Sequence, residues 1–264
     1  MNPKISIITV CYNSAAHIEE AIQSVINQPY ANKEYIIIDG GSTDGTLDII
    51  DKYKDKIGYF ISEPDKGISD AFNKGIRAAT GDIIGICNSD DVMANNILEK
   101  VAYAYEPDID IFRLNEVTRD FETGEEYMSI PTINFPIVPY NVHILHMGCY
   151  ISKNAFEKWG VYDVNFKYTM DLELLRRFMF NGAKQKYVPE VVGYFRKGGA
   201  SGARVSKRAN EHKLIVTRYG GTKIQAEKYI IYLYCKQALK DVLGLFGDNF
   251  ATKLNAAVSR KSRR

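Results

Sequence analysis

Four short strand-like stretches, at residues 4–10, 34–39, 57–61 and 83–87, alternate with three stretches of helical periodicity. No other feature limits the fold as much. Ile18, Ala21, Ile22, Val25 and Ile26 recur at i, i+3, i+4, i+7 and i+8, with Ser14 placed to cap that helix. Residues 46–53 form the second helical stretch, and Ile68, Ala71, Phe72, Gly75, Ile76 and Ala79 mark the third. Strand and helix in alternation, joined by short loops, predict an α/β fold with a parallel sheet and right-handed crossovers. In such a sheet ligands bind beyond the carboxyl ends of the strands. Four loops fall there: Tyr12-Asn13, Asp39 to Gly45, Ser62 to Gly67, and Asn88 to Asp91.

The last of these carries two adjacent carboxylates, Asp90 and Asp91, at the end of a buried strand. Such a pair repels itself and is costly to desolvate unless positive charge sits between its members. A divalent cation bound by oxygen ligands would supply that charge. The competing reading has one Asp capping a helix that starts near Ala94, and it leaves the second Asp unexplained.

Of the 264 residues, 45% are hydrophobic and 25% charged, ordinary proportions for one large α/β domain or a smaller one with an appendage. No apolar run is long enough to span a membrane, and the start of the chain lacks the apolar core of a signal peptide. Cys11, Cys87, Cys149 and Cys235 fit neither a zinc spacing nor a disulfide framework, so a cytoplasmic location is expected. The dinucleotide fingerprint is missing after the first strand, where Cys11-Tyr-Asn-Ser14 stands, and a Walker loop is missing throughout. Both absences count against a dehydrogenase and a P-loop enzyme. The second half reads less regularly, with a strand at 109–114, a hairpin turn at 122–125 and a proline-marked loop at 129–141. A short helix at 154–159, a longer one opening at 168–171 and a strand at 186–195 lead to a glycine-rich segment at 197–202.

Thr9-Val-Cys-Tyr-Asn13, Ile38-Asp-Gly-Gly-Ser-Thr-Asp-Gly-Thr46, Glu63-Pro-Asp-Lys-Gly67 and Asn88-Ser-Asp-Asp91 resemble, in order and spacing, the successive motifs of family 2 glycosyltransferases. A looser block, His146 to Gly160 and then Tyr168-Thr-Met-Asp-Leu-Glu-Leu174, extends the resemblance to about residue 202. It implies the GT-A fold, a Rossmann-like, mostly parallel sheet flanked by helices. It also implies inverting transfer from a nucleotide-sugar donor, here a UDP-sugar, to a saccharide or lipid-linked acceptor in surface-polysaccharide or glycolipid assembly.

On that resemblance Asp39 accepts the uracil N3–H, with backbone groups of Thr9 and Cys11 nearby and Asn13 in the same nucleotide-binding set. Asp90 faces the ribose or the metal, and Asp91 binds the Mn2+ or Mg2+ that bridges the diphosphate. Asp65 and Lys66 either lie beside the nucleotide or form a solvated turn. Inversion needs one carboxylate to take the acceptor hydroxyl's proton. Asp171 is the candidate base and Glu173 the alternative, in a sequence that reads Met170-Asp-Leu-Glu173 where the family usually has three clustered acids. His146 reads as a pocket-lining or structural histidine rather than a catalyst. Arg196, Ser201 and Arg204 flank a glycine loop able to close on the diphosphate.

Residues 205–264 hold 13 Lys or Arg against 4 Asp or Glu, a balance of +9 that leaves −7 for the rest of a chain whose total is +2. This asymmetry places a boundary near Gly198-Gly199. The expected organisation is a glycosyltransferase domain at 1–204 and a basic helical extension at 205–264. The domain's nucleotide-sugar half covers about 1–108 and its acceptor half about 109–204. Lys223, Lys228, Lys236, Lys240, Arg260, Lys261, Arg263 and Arg264 surround apolar segments, so the extension either lies on an anionic membrane surface or packs as core or dimer interface. The first case makes the protein peripheral on the inner face of the plasma membrane. No nucleic-acid motif is present. Two rivals stand beside this reading. A sugar-nucleotide nucleotidyltransferase would carry a glycine-rich basic loop where Tyr12-Asn-Ser-Ala15 stands, and a non-catalytic nucleotide-sugar or membrane-binding protein is the other.

Overall fold

The computed structural model describes residues 2–121, 123–140, 142–196 and 204–244. The chain divides into two compact units, Met1–Phe135 with Asn141–Gly202, and Pro136–Tyr140 with Ala203–Arg264.

The first unit begins β1 (Ile5–Cys11), α1 (Ile18–Ile26), β2 (Lys33–Asp39), α2 (Thr46–Asp51), β3 (Tyr59–Ser62), α3 (Ile68–Ala78) and β4 (Ile83–Ile86). These four strands are parallel, in the order β3-β2-β1-β4. Cys11 pairs with Asp39 and Asp39 with Ser62, so three loop-bearing strand ends finish level with one another.

There follow β5 (Val92–Met93), α4 (Ile97–Ala104), β6 (Ile111–Arg119), β7 (Glu126–Ser129), β8 (Cys149–Ser152), α5 (Lys153–Trp159), α6 (Met170–Phe180) and β9 (Gln185–Arg196). The sheet continues β4-β8-β6-β9-β5, with β8 antiparallel to both neighbours and β6 parallel to β9. Neither β5 nor β8 stands out in the sequence. Two and four residues are too few for a period to show, and β8 runs directly into α5.

Burial on both faces explains the apolar character of β1, β4 and most of β2, whereas β3 at the sheet edge leaves Tyr59 and Phe60 exposed. Ile5, Ile7, Tyr35, Ile37 and Ile83 pack with α1, α2 and α4 through Ile22, Ile50 and Leu98. Their sequence neighbours Ile8, Val10, Ile36, Ile38 and Ile84 pack with α3, α5 and α6 through Phe72, Phe156 and Phe178. Each such buried side chain contributes about 1.5–3 kcal/mol of transfer free energy. Gly75 lets α3 settle closely, since a β-carbon there would come within 2.5 Å of Ile8.

The expected Ser14 cap is not formed, and neither is the competing Asp cap. Helix α1 starts at Ile18 with His17 at its N-cap, and Ser14 contributes only a backbone carbonyl that accepts from His17 and Ile18. The Ser14 side chain faces Ser89 instead. Helix α4 starts at Ile97 after Asn96, so neither Asp90 nor Asp91 caps it. The hairpin expected at 122–125 is present between β6 and β7, with Gly124 at φ +73°, although Glu122 lies outside the described residues.

The second unit contains α7 (Val205–Arg218) and α8 (Lys223–Gly244). Gly220 takes φ +95° past the end of α7. Thr222 and Gln225 then form a reciprocal capping box, each side chain bonding the other's amide. Tyr140 packs edge-on against Tyr229 and Tyr232, so a short stretch of the proline-marked loop belongs to this unit. The glycine-rich segment with Ser201, and Arg260, Lys261, Arg263 and Arg264, lie outside the described residues.

Candidate active site

The four strand-end loops interlock. The Gly40 amide donates to the Cys11 carbonyl at 2.9 Å and the Asn13 amide to the Ser42 hydroxyl at 2.8 Å. Asn13 Oδ1 in turn accepts from the Thr43 amide, and the Ala15 amide donates to Asp44. Ser14 and Ser89 hydroxyls meet at 3.0 Å and join the β1 loop to the β4 loop. Such a cross-linked edge holds its polar groups in fixed positions, as a ligand site needs.

Asp39 is wholly buried at the end of β2. Its Oδ2 accepts from the amides of Gly41 and Ser42 and the hydroxyl of Ser62, and its Oδ1 accepts from the Ser42 hydroxyl and the Cys11 thiol. Burial alone would raise its pKa, but the bonds from Ser42 and Ser62 outweigh it and hold the carboxyl below the usual range. Gly41 takes φ +85° to turn its amide inward. With five donors already on the carboxylate, direct acceptance of a base N–H would displace one of them.

Of the other expected nucleotide residues, Thr9 turns its hydroxyl into the core, against Tyr35 and the Cys87 carbonyl. The Cys11 thiol is raised well above its usual pKa by burial and then by the charge of Asp39. Asp65 pairs with Lys74 of α3 at 2.6 Å, and Lys74 also meets Glu63 at 2.9 Å. Lys66 is exposed, its backbone amide donating to Asp70. The sequence pattern did not mark Lys74, and it placed Ser62 only at the start of a strand-end loop. Tyr12, placed at this edge by the sequence but given no role, is 66% exposed beside Gly40.

Asp91 is 0% exposed. Its Oδ2 accepts from Asn88 Nδ2 at 2.7 Å and its Oδ1 from the Arg196 amide at 3.1 Å. Burial first, and then the charge of Asp90, pushes its pKa up to about 7. A cation beside the pair would relieve both causes. Among the described residues no cluster of three or more His, Cys, Asp or Glu could hold a metal by itself. Two carboxylates nevertheless suit a hard divalent ion whose other ligands are water and substrate phosphate. Buried Glu116 on β6, also pushed up to about 7 by burial, accepts from the Gly148 amide and feels the charge of Asp91.

Asp171 is half-buried in the first turn of α6, and its charge acts on His146, Tyr162 and Cys149. His146 Nε2 lies 2.6 Å from the Tyr162 hydroxyl, and its ring packs edge-on against Phe72. Glu173 is different. Its side chain is 1% exposed and bonded to Arg177, which also donates to the Trp159 and Val161 carbonyls. Glu173, the alternative base, is thus buried and paired with Arg177, and Asp171 is the more accessible carboxylate of the two.

Residues 6–164 match the model of Glycosyl transferase family 2. Over 226 residues the chain is 28% identical to the uncharacterised glycosyltransferase YibD of Escherichia coli K12, covering 79% of this chain and 66% of that protein. The matched regions span 40–66% of the length of four such curated relatives. Among solved structures, the mannosyltransferase PcManGT of Pyrobaculum calidifontis in complex with GDP-Man and Mn2+ superposes with a TM-score of 0.66 at 20% identity, covering 100% of this chain and 81% of that one. Staphylococcus aureus TarS 1–349 in complex with UDP gives 0.64 at 16% identity, covering 88% and 70%. These likenesses establish the GT-A fold, and the sequence match makes the chain a member of glycosyl transferase family 2.

Proposed function

We propose that the chain moves a sugar from a UDP-sugar to a hydroxyl of a saccharide or glycolipid acceptor, with inversion at the anomeric carbon. The observation that carries this reading is buried Asp91 beside Asp90 at the end of β4, tied through Ser89 to the loops that hold Asp39. A bound Mn2+ or Mg2+ would supply Lewis-acid neutralisation of the departing nucleoside diphosphate. Asp90 and Asp91 would hold that ion, and the Asp39 turn would seat the base. Asp171 takes the proton of the attacking hydroxyl, while Glu173 keeps α6 in place through Arg177. The UDP complex of TarS supports the donor, and the Mn2+ complex of PcManGT supports the ion. Family membership argues against the nucleotidyltransferase alternative.

The helical unit attaches the enzyme to an anionic membrane surface. Ile224, Ile231, Cys235 and Val242 on α8 are all exposed and fall on one face at spacings of seven, four and seven. No helix among the described residues is long and apolar enough to cross a membrane.

The central test is nucleotide release from a panel of UDP-sugars and GDP-Man, with Mn2+, Mg2+ or EDTA, with and without saccharide acceptors. Metal-dependent release of UDP, accelerated by an acceptor, is expected. Equal turnover in EDTA would remove the metal, and release from GDP-Man alone would remove the UDP assignment.

A further inference from the structure

The antiparallel register Val92↔Tyr194 and Met93↔Gly193 between β5 and β9, extended by two residues, sets Arg196 opposite Asp90. Arg196 is held at four points. Its amide donates to Asp91 Oδ1 at 3.1 Å, its Nε to the Asp90 carbonyl at 3.2 Å, and its Nη2 to Glu20 Oε2 at 2.9 Å. The fourth contact is a ring, since the guanidinium carbon lies 3.6 Å from the centroid of Phe121.

Phe121 belongs to the tip of the β6–β7 hairpin and joins neither face of the hydrophobic core. A second arginine, Arg119, lies 3.6 Å over the Tyr194 ring and 5.7 Å from Phe121. Tyr194, Arg119, Phe121 and Arg196 thus alternate ring and cation in a stack that ends on the Asp90 carbonyl. A planar guanidinium can lie flat on an aromatic face while its edges still donate hydrogen bonds, which an ammonium does less well. Phe121 therefore covers the charged plane of Arg196 and leaves its edges to the Asp90 carbonyl and Glu20.

We infer that Arg196 is a positioning residue for the Asp90–Asp91 pair, and that Phe121 at the hairpin tip keeps it in place. This rests on the reading that the pair holds a divalent ion. Without a resident positive charge the two acids would spread the turn apart, and an incoming ion would have to order its own ligands. Arg196 provides that charge from the neighbouring strand, its guanidinium bonding the Asp90 carbonyl and its backbone amide Asp91 Oδ1. Glu20 balances it, so the surroundings of the pair stay negative enough to attract a cation.

The test uses the full chain and measures free Mn2+ by its electron paramagnetic resonance signal in the presence of saturating UDP. Phe121→Ala is expected to weaken Mn2+ binding about three- to tenfold. Phe121→Trp, with a ring better suited to a cation, is expected to retain it, and Arg196→Met to weaken it by about tenfold or more. Calorimetric UDP binding in EDTA and the thermal midpoint of Phe121→Ala should stay at wild-type values, which separates positioning from general destabilisation. Wild-type Mn2+ affinity in Phe121→Ala and Arg196→Met would overturn the inference. Should Arg196→Met fail to fold, Phe121→Ala alone decides, because its side chain is part-exposed and outside the core. A wild-type protein that binds UDP but no Mn2+ would overturn the metal reading and this role together, whereas normal Mn2+ binding that ignores both substitutions overturns only the role.

Discussion

Ser42 donates to both oxygens of Asp39, its amide to Oδ2 at 2.9 Å and its hydroxyl to Oδ1 at 2.5 Å. The same hydroxyl accepts from the Asn13 amide, so one side chain joins the β1 loop, the β2 turn and a buried carboxylate. Ser42→Ala removes a charge-assisted bond and leaves the Asn13 amide without its acceptor. The expected cost is about 1.5–3 kcal/mol of stability, read by denaturant unfolding, together with a raised KM for the donor. A variant as stable as wild type would show that water replaces the hydroxyl.

The two carboxylates of α6 should separate in function. Asp171→Asn is expected to retain UDP binding and lose about 10²–10⁴ in kcat. Glu173→Gln breaks the ion pair with Arg177 and should appear first as lost stability, with kcat less affected in the protein that remains folded. The reverse pattern would transfer the base assignment to Glu173.

Glu34 gives a pH dependence that reports on the fold and not on the site. It accepts from Ser6, from the amide and hydroxyl of Thr80, and from Lys4. Burial opposes its ionisation, but these bonds hold its pKa down to about 2 against 4.5 for the free side chain. A carboxyl depressed in the folded state stabilises above its unfolded pKa, and that contribution fades as pH falls from about 4.5 through about 2. Glu34→Gln should therefore cost on the order of 2–3 kcal/mol at pH 7 and much less near pH 2.5, measured by urea unfolding across that range. A cost independent of pH would assign the stabilisation to packing.

The stripe on α8 predicts an association. Ile231→Glu should reduce sedimentation with anionic liposomes at low salt by about tenfold, the effect of exchanging one buried Ile for a charge, without loss of helix by circular dichroism. Truncation at residue 204 should abolish it. Unchanged sedimentation would leave the stripe as a packing face, which light scattering would then show as a dimer.

Much of the first half was legible because its elements are local. Ile5 to Cys11, Lys33 to Asp39 and Ile83 to Ile86 are strands with apolar centres, and the stripe from Ile68 to Ala78 has a clear helical period. The loops after these strands had to share an edge once the strands were parallel, so the association of Asn13, Asp39 and Asp91 followed from pattern and parity. The acid pair was equally visible, because two adjacent carboxylates after a buried run need a physical explanation wherever they occur.

What the sequence by itself determined was therefore the parallel half of the sheet, the edge where its strand-end loops gather and the excess negative charge at Asp90 and Asp91. Only the tertiary structure decided which groups are committed elsewhere. Arg177, four residues on from Glu173, secures that carboxylate because Trp159 and Val161 bring their carbonyls to the same guanidinium. Thr9 turns inward because Tyr35 and Cys87 lie across the neighbouring strands. Arg196 reaches Asp91 from 105 residues away because β5, two residues long, pairs with β9. Contacts of that range leave no period in either segment, and they exist only once the sheet has closed.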